Sequence, residues 1–128
     1  MHPARLLLPV GLTLLTACAQ HPAAVTLEQQ GKCPLYLNGG QTLILSLPSN
    51  PSTGYRWQLL DAAAPTLRSL GPEVYSAEET GLVGSGGRST WRFQAADAGE
   101  ARLLLHYLRP WETGVAPAET FDCLIQVK

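Results

Sequence analysis

Two neighbouring hydroxyl groups, those of Ser52 and Thr53, could do chemistry in this chain of 128 residues. They lie in the turn sequence Asn-Pro-Ser-Thr-Gly, residues 50–54, which we call the first loop. Proline restricts φ, glycine permits a positive φ, and asparagine can bond the backbone two residues further on. The sequence therefore predicts a stiff loop that presents both hydroxyls. The pentapeptide alone is more typical of an ordinary turn between strands.

A hydrolase built on Ser52 would need a general base and a third group to orient that base. His106 is the one histidine outside the N-terminal segment, and a histidine on a strand face is usually structural. The aspartates show no spacing that singles out a third member. The scarcity of histidines also argues against a metal site. We predict a protein that is not an enzyme and has no metal or cofactor, with a Ser52–His106 hydrolase as the minor alternative.

Two further loops could carry recognition. The second loop is mostly glycine, so its backbone can approach another surface closely, although a flexible hairpin tip fits it equally well; it comprises Gly84, Ser85, Gly86 and Gly87. In the third loop a proline ends a strand and leaves an aromatic side chain beside a guanidinium; it comprises Arg109, Pro110 and Trp111. Tryptophan and arginine are enriched in binding hot spots. The alternative is a tryptophan that folds back onto the sandwich edge.

The elements that must position these loops are short strands. Apolar and polar residues alternate along segments separated by turn residues, and no segment has the periodicity of a long amphipathic helix. The predicted strands cover residues 25–28, 33–37, 41–47, 55–60, 67–70, 73–77, 89–95, 100–108 and 120–127, with a hairpin at the Asn-Gly-Gly sequence 38–40. The sequence predicts an all-β fold, an immunoglobulin-like antiparallel β-sandwich of about seven to nine short strands. In such a sandwich the first and third loops should lie at the same end.

The N-terminal segment is typical of a bacterial lipoprotein. A positive residue and a short apolar run precede the sequence Leu-Thr-Ala-Cys at 15–18, which resembles a lipobox. We expect residues 1–17 to be a signal peptide, Cys18 to be lipidated, and residues 18–24 to be a tether to the outer membrane, facing the periplasm. A plain secretory signal with an incidental Cys18 is the alternative. The net charge of −1 offers no basic excess, so we expect no nucleic acid partner.

The other two cysteines, Cys33 and Cys123, would then lie in an oxidising compartment. Each shares its predicted strand face with apolar residues, so both should point inward. A disulfide that ties the first strand region to the last strand is plausible, and two buried free thiols remain the alternative.

Together the three loops resemble the motifs of the chagasin family, protein inhibitors of papain-like cysteine peptidases. The family pattern is asparagine-proline-threonine-threonine-glycine, then glycine-x-glycine-glycine, then arginine-proline-tryptophan, and this chain carries the three in that order. The resemblance covers residues 25–128, which would form the inhibitor domain. The chain departs from the pattern at Ser52, which keeps the hydroxyl of the usual threonine and lacks its methyl group.

The resemblance implies a reversible, non-covalent competitive inhibitor whose three loops enter the active-site cleft as a wedge. The first loop would lie over the catalytic cysteine and histidine of the peptidase. The second would run along one side of the cleft through backbone hydrogen bonds, and the third would pack on the other side. The residues expected to contact the peptidase are Asn50, Pro51, Ser52, Thr53, Gly54, Gly84, Ser85, Gly86, Gly87, Arg109, Pro110 and Trp111. We expect a monomer whose partner is a papain-like cysteine peptidase and whose link to the membrane is the lipid.

The competing interpretation is a lipid-anchored sandwich that binds envelope glycan or a protein partner without inhibiting a peptidase. Exposed Trp57, Trp91 and Trp111 could stack on sugars. The alternating patterns place Trp57 and Trp91 in the core, however, and leave Trp111 as the exposed tryptophan.

Overall fold

The computed structural model describes residues 3–4, 9–13, 23–78, 84 and 86–128. The predicted lipidation site, Cys18, lies outside these residues. Within the described ranges, no helix is long and apolar enough to cross a membrane. The strands of the described part are β1 (Ala24–Leu27), β2 (Leu35–Leu37), β3 (Thr42–Ser49), β4 (Arg56–Ala62), β5 (Leu67–Ser69), β6 (Val74–Ala77), β7 (Gly87–Ala95), β8 (Gly99–Leu108) and β9 (Glu119–Val127). Two short 3-10 turns accompany them, at Gln30–Lys32 and Pro51–Thr53.

The strands form two sheets that enclose one apolar core, which confirms the predicted all-β sandwich. The first sheet has the order β1-β3-β7-β5, with β6 also paired to β7, and the second has the order β2-β9-β8-β4. Alternate residues of the long central strands point into the space between the sheets, as the period of two requires. The fully buried large side chains include Leu43, Leu45, Phe93, Leu103, Leu105 and Ile125.

The prediction of a purely antiparallel sandwich is wrong at two edges. β1 pairs parallel with β3, and β2 pairs parallel with β9. The chain crosses from the first sheet to the second through the turn at Gln30–Lys32, so β1 and β2 add to opposite sheets. Because neither strand is joined to its neighbour by a tight turn, nothing imposes the antiparallel direction on it.

The predicted hairpin at residues 38–40 is also wrong. The strands on its two sides, β2 and β3, belong to different sheets. The Gly39 amide donates to the Lys128 carbonyl at 3.2 Å, and the Gly40 amide donates to the Ala95 carbonyl at 2.8 Å. The turn therefore bridges the two sheets.

Cys33 and Cys123 form a disulfide, with their Cα atoms 5.4 Å apart. Cys123 is fully buried in β9, and Cys33 lies just before β2 at the edge of the core. Since β2 has three residues, its pairing with β9 provides few hydrogen bonds, and the bridge attaches it covalently. The alternative of two free thiols is excluded.

Strand register brings three connections to one end of the sandwich. Ser49, the last residue of β3, lies opposite Gly87, the first residue of β7. In the second sheet Arg56 at the start of β4 lies opposite Leu108 at the end of β8, while Tyr107 lies opposite the start of β9. The loops that follow β3, precede β7 and follow β8 are therefore neighbours. We call this the loop end.

The N-terminus of the sandwich lies at the other end. Ala24, the first residue of β1, is paired with Thr42 at the start of β3. β3 has eight residues, so its two ends are about 25 Å apart at the usual rise of an extended strand. The chain therefore enters the domain far from the loop end.

Candidate functional site

Asn50 organises the first loop. Its Oδ1 caps the 3-10 turn by accepting a hydrogen bond from the Ser52 amide at 3.2 Å. Its own amide donates to the Tyr107 hydroxyl at 3.0 Å. Its Nδ2 donates to the Gly84 carbonyl at 3.1 Å. A single residue thus ties the first loop to itself, to β8 and to the second loop.

Both hydroxyls of the first loop donate within the loop. Ser52 Oγ donates to Asn50 Oδ1 at 2.6 Å, and Thr53 Oγ1 donates to the Asn50 carbonyl at 2.7 Å. A hydroxyl carries one proton and two lone pairs, so each oxygen keeps the capacity to accept. Ser52 and Thr53 are both exposed. The loop therefore offers two ordered acceptors at its surface, and their contact with a peptidase remains a prediction.

Trp111 of the third loop packs against the first loop. A Cβ atom added to Gly54 would lie 2.2 Å from Trp111 Cη2, so the indole occupies the space above the glycine. Gly54 also has φ of 85°, a left-handed backbone conformation that residues with a side chain rarely adopt. Trp111 nevertheless leaves 66% of its surface exposed. The indole is thus positioned by one face while the rest of it is free to contact a partner.

The Arg109 guanidinium, which belongs to the third loop, also links that loop to the first loop. Its Nε donates to the Thr53 carbonyl at 3.1 Å, and its Cζ lies 4.5 Å from the ring centroid of Tyr55. Its Nη1 forms an ion pair with Glu112 Oε1 at 3.2 Å. Both partners of this pair are about one-third exposed, so its own contribution to stability is small. The geometric effect is larger, because the guanidinium holds the third loop to the first.

The second loop reaches the first through backbone. Gly84 is exposed, with φ of 81°, and its carbonyl accepts from Asn50. A Cβ on Gly86 would lie 3.1 Å from the Ser49 carbonyl oxygen, so the absence of a side chain permits this approach. Ser85 lies outside the described residues.

Gly87 has a structural use that the sequence did not indicate. It is buried at the start of β7, where a Cβ would lie 2.1 Å from the Ser76 carbonyl oxygen of β6. Only glycine allows β6 to pair at this point. Its predicted contact with a peptidase stays untested, and any such contact would be made by backbone.

Tyr55, Tyr107 and Glu112 support the site and were not predicted as site residues. Tyr107 lies on the inward face of β8 together with Leu103 and Leu105, as alternation predicts. A tyrosine at the last inward position of a strand brings its hydroxyl to the end of the sandwich. A partly buried hydroxyl usually forms a hydrogen bond, so such a tyrosine is expected to bond a neighbouring loop. That combination of residue type and position is the signal that could have found it.

The hydrolase alternative has no geometric support. Ser52 Oγ donates to Asn50, whereas His106 lies in β8 between Gln58 of β4 and Thr120 of β9. Within the described part of the chain no hydrogen bond joins Ser52 to His106. Nor do the described residues contain a group of three or more histidine, cysteine, aspartate or glutamate side chains that could hold a metal.

Two of the three tryptophans on which the glycan-binding alternative depends are buried and cannot stack on a sugar. Trp57 and Trp91 are 8% and 5% exposed. The Trp57 indole donates to the Pro48 carbonyl at 2.9 Å and is part of the core. Of the three tryptophans in the chain, Trp111 alone presents a ring to solvent.

Comparison with known proteins agrees with the loop motifs. The model of the chagasin family peptidase inhibitor I42 matches residues 36–125. The chain is 26% identical to amoebiasin-2 of Entamoeba histolytica over 115 residues, which cover 87% of this chain and 92% of the relative. It is 28% identical to chagasin of Trypanosoma cruzi over 93 residues, which cover 68% of this chain and 82% of chagasin.

The fold is also similar to a solved structure. The crystal structure of the cysteine protease inhibitor EhICP2 from Entamoeba histolytica superposes with a TM-score of 0.69 at 23% sequence identity. The match covers 82% of this chain and 96% of that one. At this identity the likeness concerns the fold.

The packing of Trp111 on Gly54 can be tested with Gly54→Ala. The added methyl group must displace the indole, so the indole N–H resonance of Trp111 should shift. The positive φ should lower the free energy of unfolding by about 1 kcal/mol. Gly40→Ala is the matched control, because Gly40 has φ of 90° and no atom within 4 Å of its added Cβ. It should lose similar stability and leave Trp111 unchanged. An unshifted Trp111 resonance in Gly54→Ala would contradict the contact.

Proposed function

Because the chain belongs to the chagasin family of peptidase inhibitors, we propose that it inhibits a papain-like cysteine peptidase by inserting its three loops into the active-site cleft. Inhibition is reversible, competitive and non-covalent. The observation that carries the proposal is the mutual bracing of the loops. Asn50 bonds the second loop, while Trp111 and Arg109 contact the first. Family members inhibit peptidases and are not enzymes, and this chain shares that assignment.

The bracing matters because binding has an entropic cost. Ordering a mobile loop or a long side chain on association consumes about 0.5–1.5 kcal/mol for each group that is immobilised. Here the contacts of Asn50, Gly54 and Arg109 already hold the first and third loops in place within the free chain. More of the contact energy is then available for affinity.

Each loop would contribute a different kind of contact. Ser52 and Thr53 would accept hydrogen bonds near the catalytic groups of the peptidase, since their protons are used within the loop. Gly84 and Gly86 would offer backbone groups beside the cleft. Trp111 would supply the large apolar contact, as buried tryptophans do in binding hot spots.

A non-covalent mechanism follows from the chemistry of the first loop. Its tip carries two hydroxyls that both donate to Asn50, and within the described residues no hydrogen bond joins either of them to a basic side chain. Occupying the cleft requires no bond to form or break. The inhibitor would occupy the cleft, exclude substrate and leave it intact.

We further propose that Cys18 is lipidated and anchors the protein to the bacterial outer membrane, facing the periplasm. The chain enters β1 at the end of the sandwich opposite the loop end. An anchor on that side would leave all three loops free to meet a soluble peptidase.

Inhibition is tested directly with the purified chain lacking residues 1–18. We expect competitive inhibition of papain or cathepsin L, with full recovery of peptidase activity after dilution and an intact inhibitor by mass spectrometry. A serine peptidase such as trypsin should be unaffected. Full activity of the cysteine peptidases at micromolar inhibitor would refute the proposed function.

Trp111→Ala should weaken inhibition by about 2 kcal/mol or more, roughly 30-fold in the inhibition constant, if Trp111 is a binding hot spot. Tyr36→Ala is the control, because Tyr36 on β2 has the same 66% exposure and lies away from the loop end. The control should inhibit like the unaltered chain. Equal inhibition by both variants would remove Trp111 from the binding surface.

The lipid anchor is tested with Cys18→Ala expressed in a bacterial host. The unaltered protein should fractionate with the outer membrane and incorporate labelled fatty acid, while Cys18→Ala should lose the label. An unaltered protein that is soluble and unlabelled in the periplasm would support the plain secretory signal instead.

A further inference from the structure

Tyr107 joins the two sheets at the loop end through its hydroxyl. The residue lies in β8 of the second sheet, and its hydroxyl accepts from the amide of Asn50, which directly follows β3 of the first sheet. The two residues are 57 positions apart in sequence. Since Asn50 caps the first loop, this hydrogen bond fixes where the loop begins relative to the opposite sheet.

The ring of Tyr107 lies at the centre of an aromatic column. Its centroid is 4.8 Å from that of Trp57 and 5.2 Å from that of Tyr55. The Arg109 guanidinium lies over the Tyr55 ring, with its Cζ 4.5 Å from the ring centroid. Trp57 is buried and bonded to the Pro48 carbonyl, so the inner end of the column is fixed in the core. The outer end holds Arg109, which bonds the Thr53 carbonyl of the first loop.

We propose that Tyr107 is a positioning residue for the inhibitory surface, an inference that rests on the proposed function. Its hydroxyl holds the first loop in the conformation that binds the peptidase, and its ring supports Tyr55, over which Arg109 of the third loop lies. Tyr107 needs no contact with the peptidase to do this.

The hydroxyl can be removed without removing the column. Tyr107→Phe retains the ring and its stacking but leaves the Asn50 amide without this acceptor. The first loop would then adopt the binding conformation for only part of the time. When only a fraction of molecules is competent to bind, the apparent affinity falls by that fraction. The loss appears in the association rate constant, whereas the complex, once formed, dissociates as before.

The test is Tyr107→Phe in the full-length chain purified in detergent, with both rate constants measured against papain and amide hydrogen exchange measured on the free protein. We expect association to slow by about three- to tenfold, the range of one neutral hydrogen bond, with dissociation unchanged. Exchange at the Asn50 amide should accelerate, while the amides of β3 keep their protection. Tyr36→Phe, an exposed tyrosine on β2, should match the unaltered chain in every measurement.

The outcomes separate this inference from the proposed function. If the unaltered chain inhibits papain and Tyr107→Phe does so with both rate constants unchanged, the positioning role is overturned. A general loss of protection across β3 would overturn it too, because Tyr107 would then stabilise the whole fold. If the unaltered chain inhibits no cysteine peptidase, the proposed function fails, and unchanged exchange at Asn50 would still refute the ordering of the loop by Tyr107.

Discussion

The arrangement of the loop end depends on strand register in the two sheets. With Ser49 opposite Gly87 and Arg56 opposite Leu108, three connections far apart in sequence emerge side by side. A shift of one residue in either sheet would turn the buried leucines of β3 or β8 toward solvent. Core burial therefore enforces the register, and the register places the loops. The position of the site is thus a consequence of how the hydrophobic core packs.

At the loop end, hydrogen bonds and side-chain contacts between the loops hold the chain where strand pairing does not. Asn50 uses its amide, its carbonyl and both ends of its side chain, each with a different partner. The close approach of Trp111 and Gly54 and the bond from Arg109 to Thr53 join the third loop to the first. Two residues predicted to contact a partner, Asn50 and Arg109, thus use most of their polar groups in hydrogen bonds within the chain. Their effect on binding would come largely through the shape that they impose.

The long strands were predictable because alternation is a local property. β3, β7, β8 and β9 follow the predicted pattern of inward apolar residues, and three loop motifs led to the right family. The directions of β1 and β2 were not predictable in this way, because no turn connects either strand to its partner. Residues 38–40 have hairpin composition, but the sheet that each flanking strand joins is decided by distant residues. The same limit applies to Tyr107, whose partner is 57 positions away, and to Gly87, whose constraint comes from β6.

The disulfide and the loop contacts have different effects: the disulfide stabilises the fold, and the loop contacts order the loop end. The bridge closes a segment of 90 residues and, in the chain-entropy model, disfavours the unfolded state by at most about 4–5 kcal/mol. It joins the segment before β2 to the middle of β9, so it stabilises the fold without ordering the loop end. That ordering comes from Asn50, Tyr107 and Arg109, each of which contributes on the scale of about 1 kcal/mol. A stable sandwich could therefore carry loops that are poorly arranged for binding. Affinity for a partner should respond to these few contacts much more than to the stability of the core.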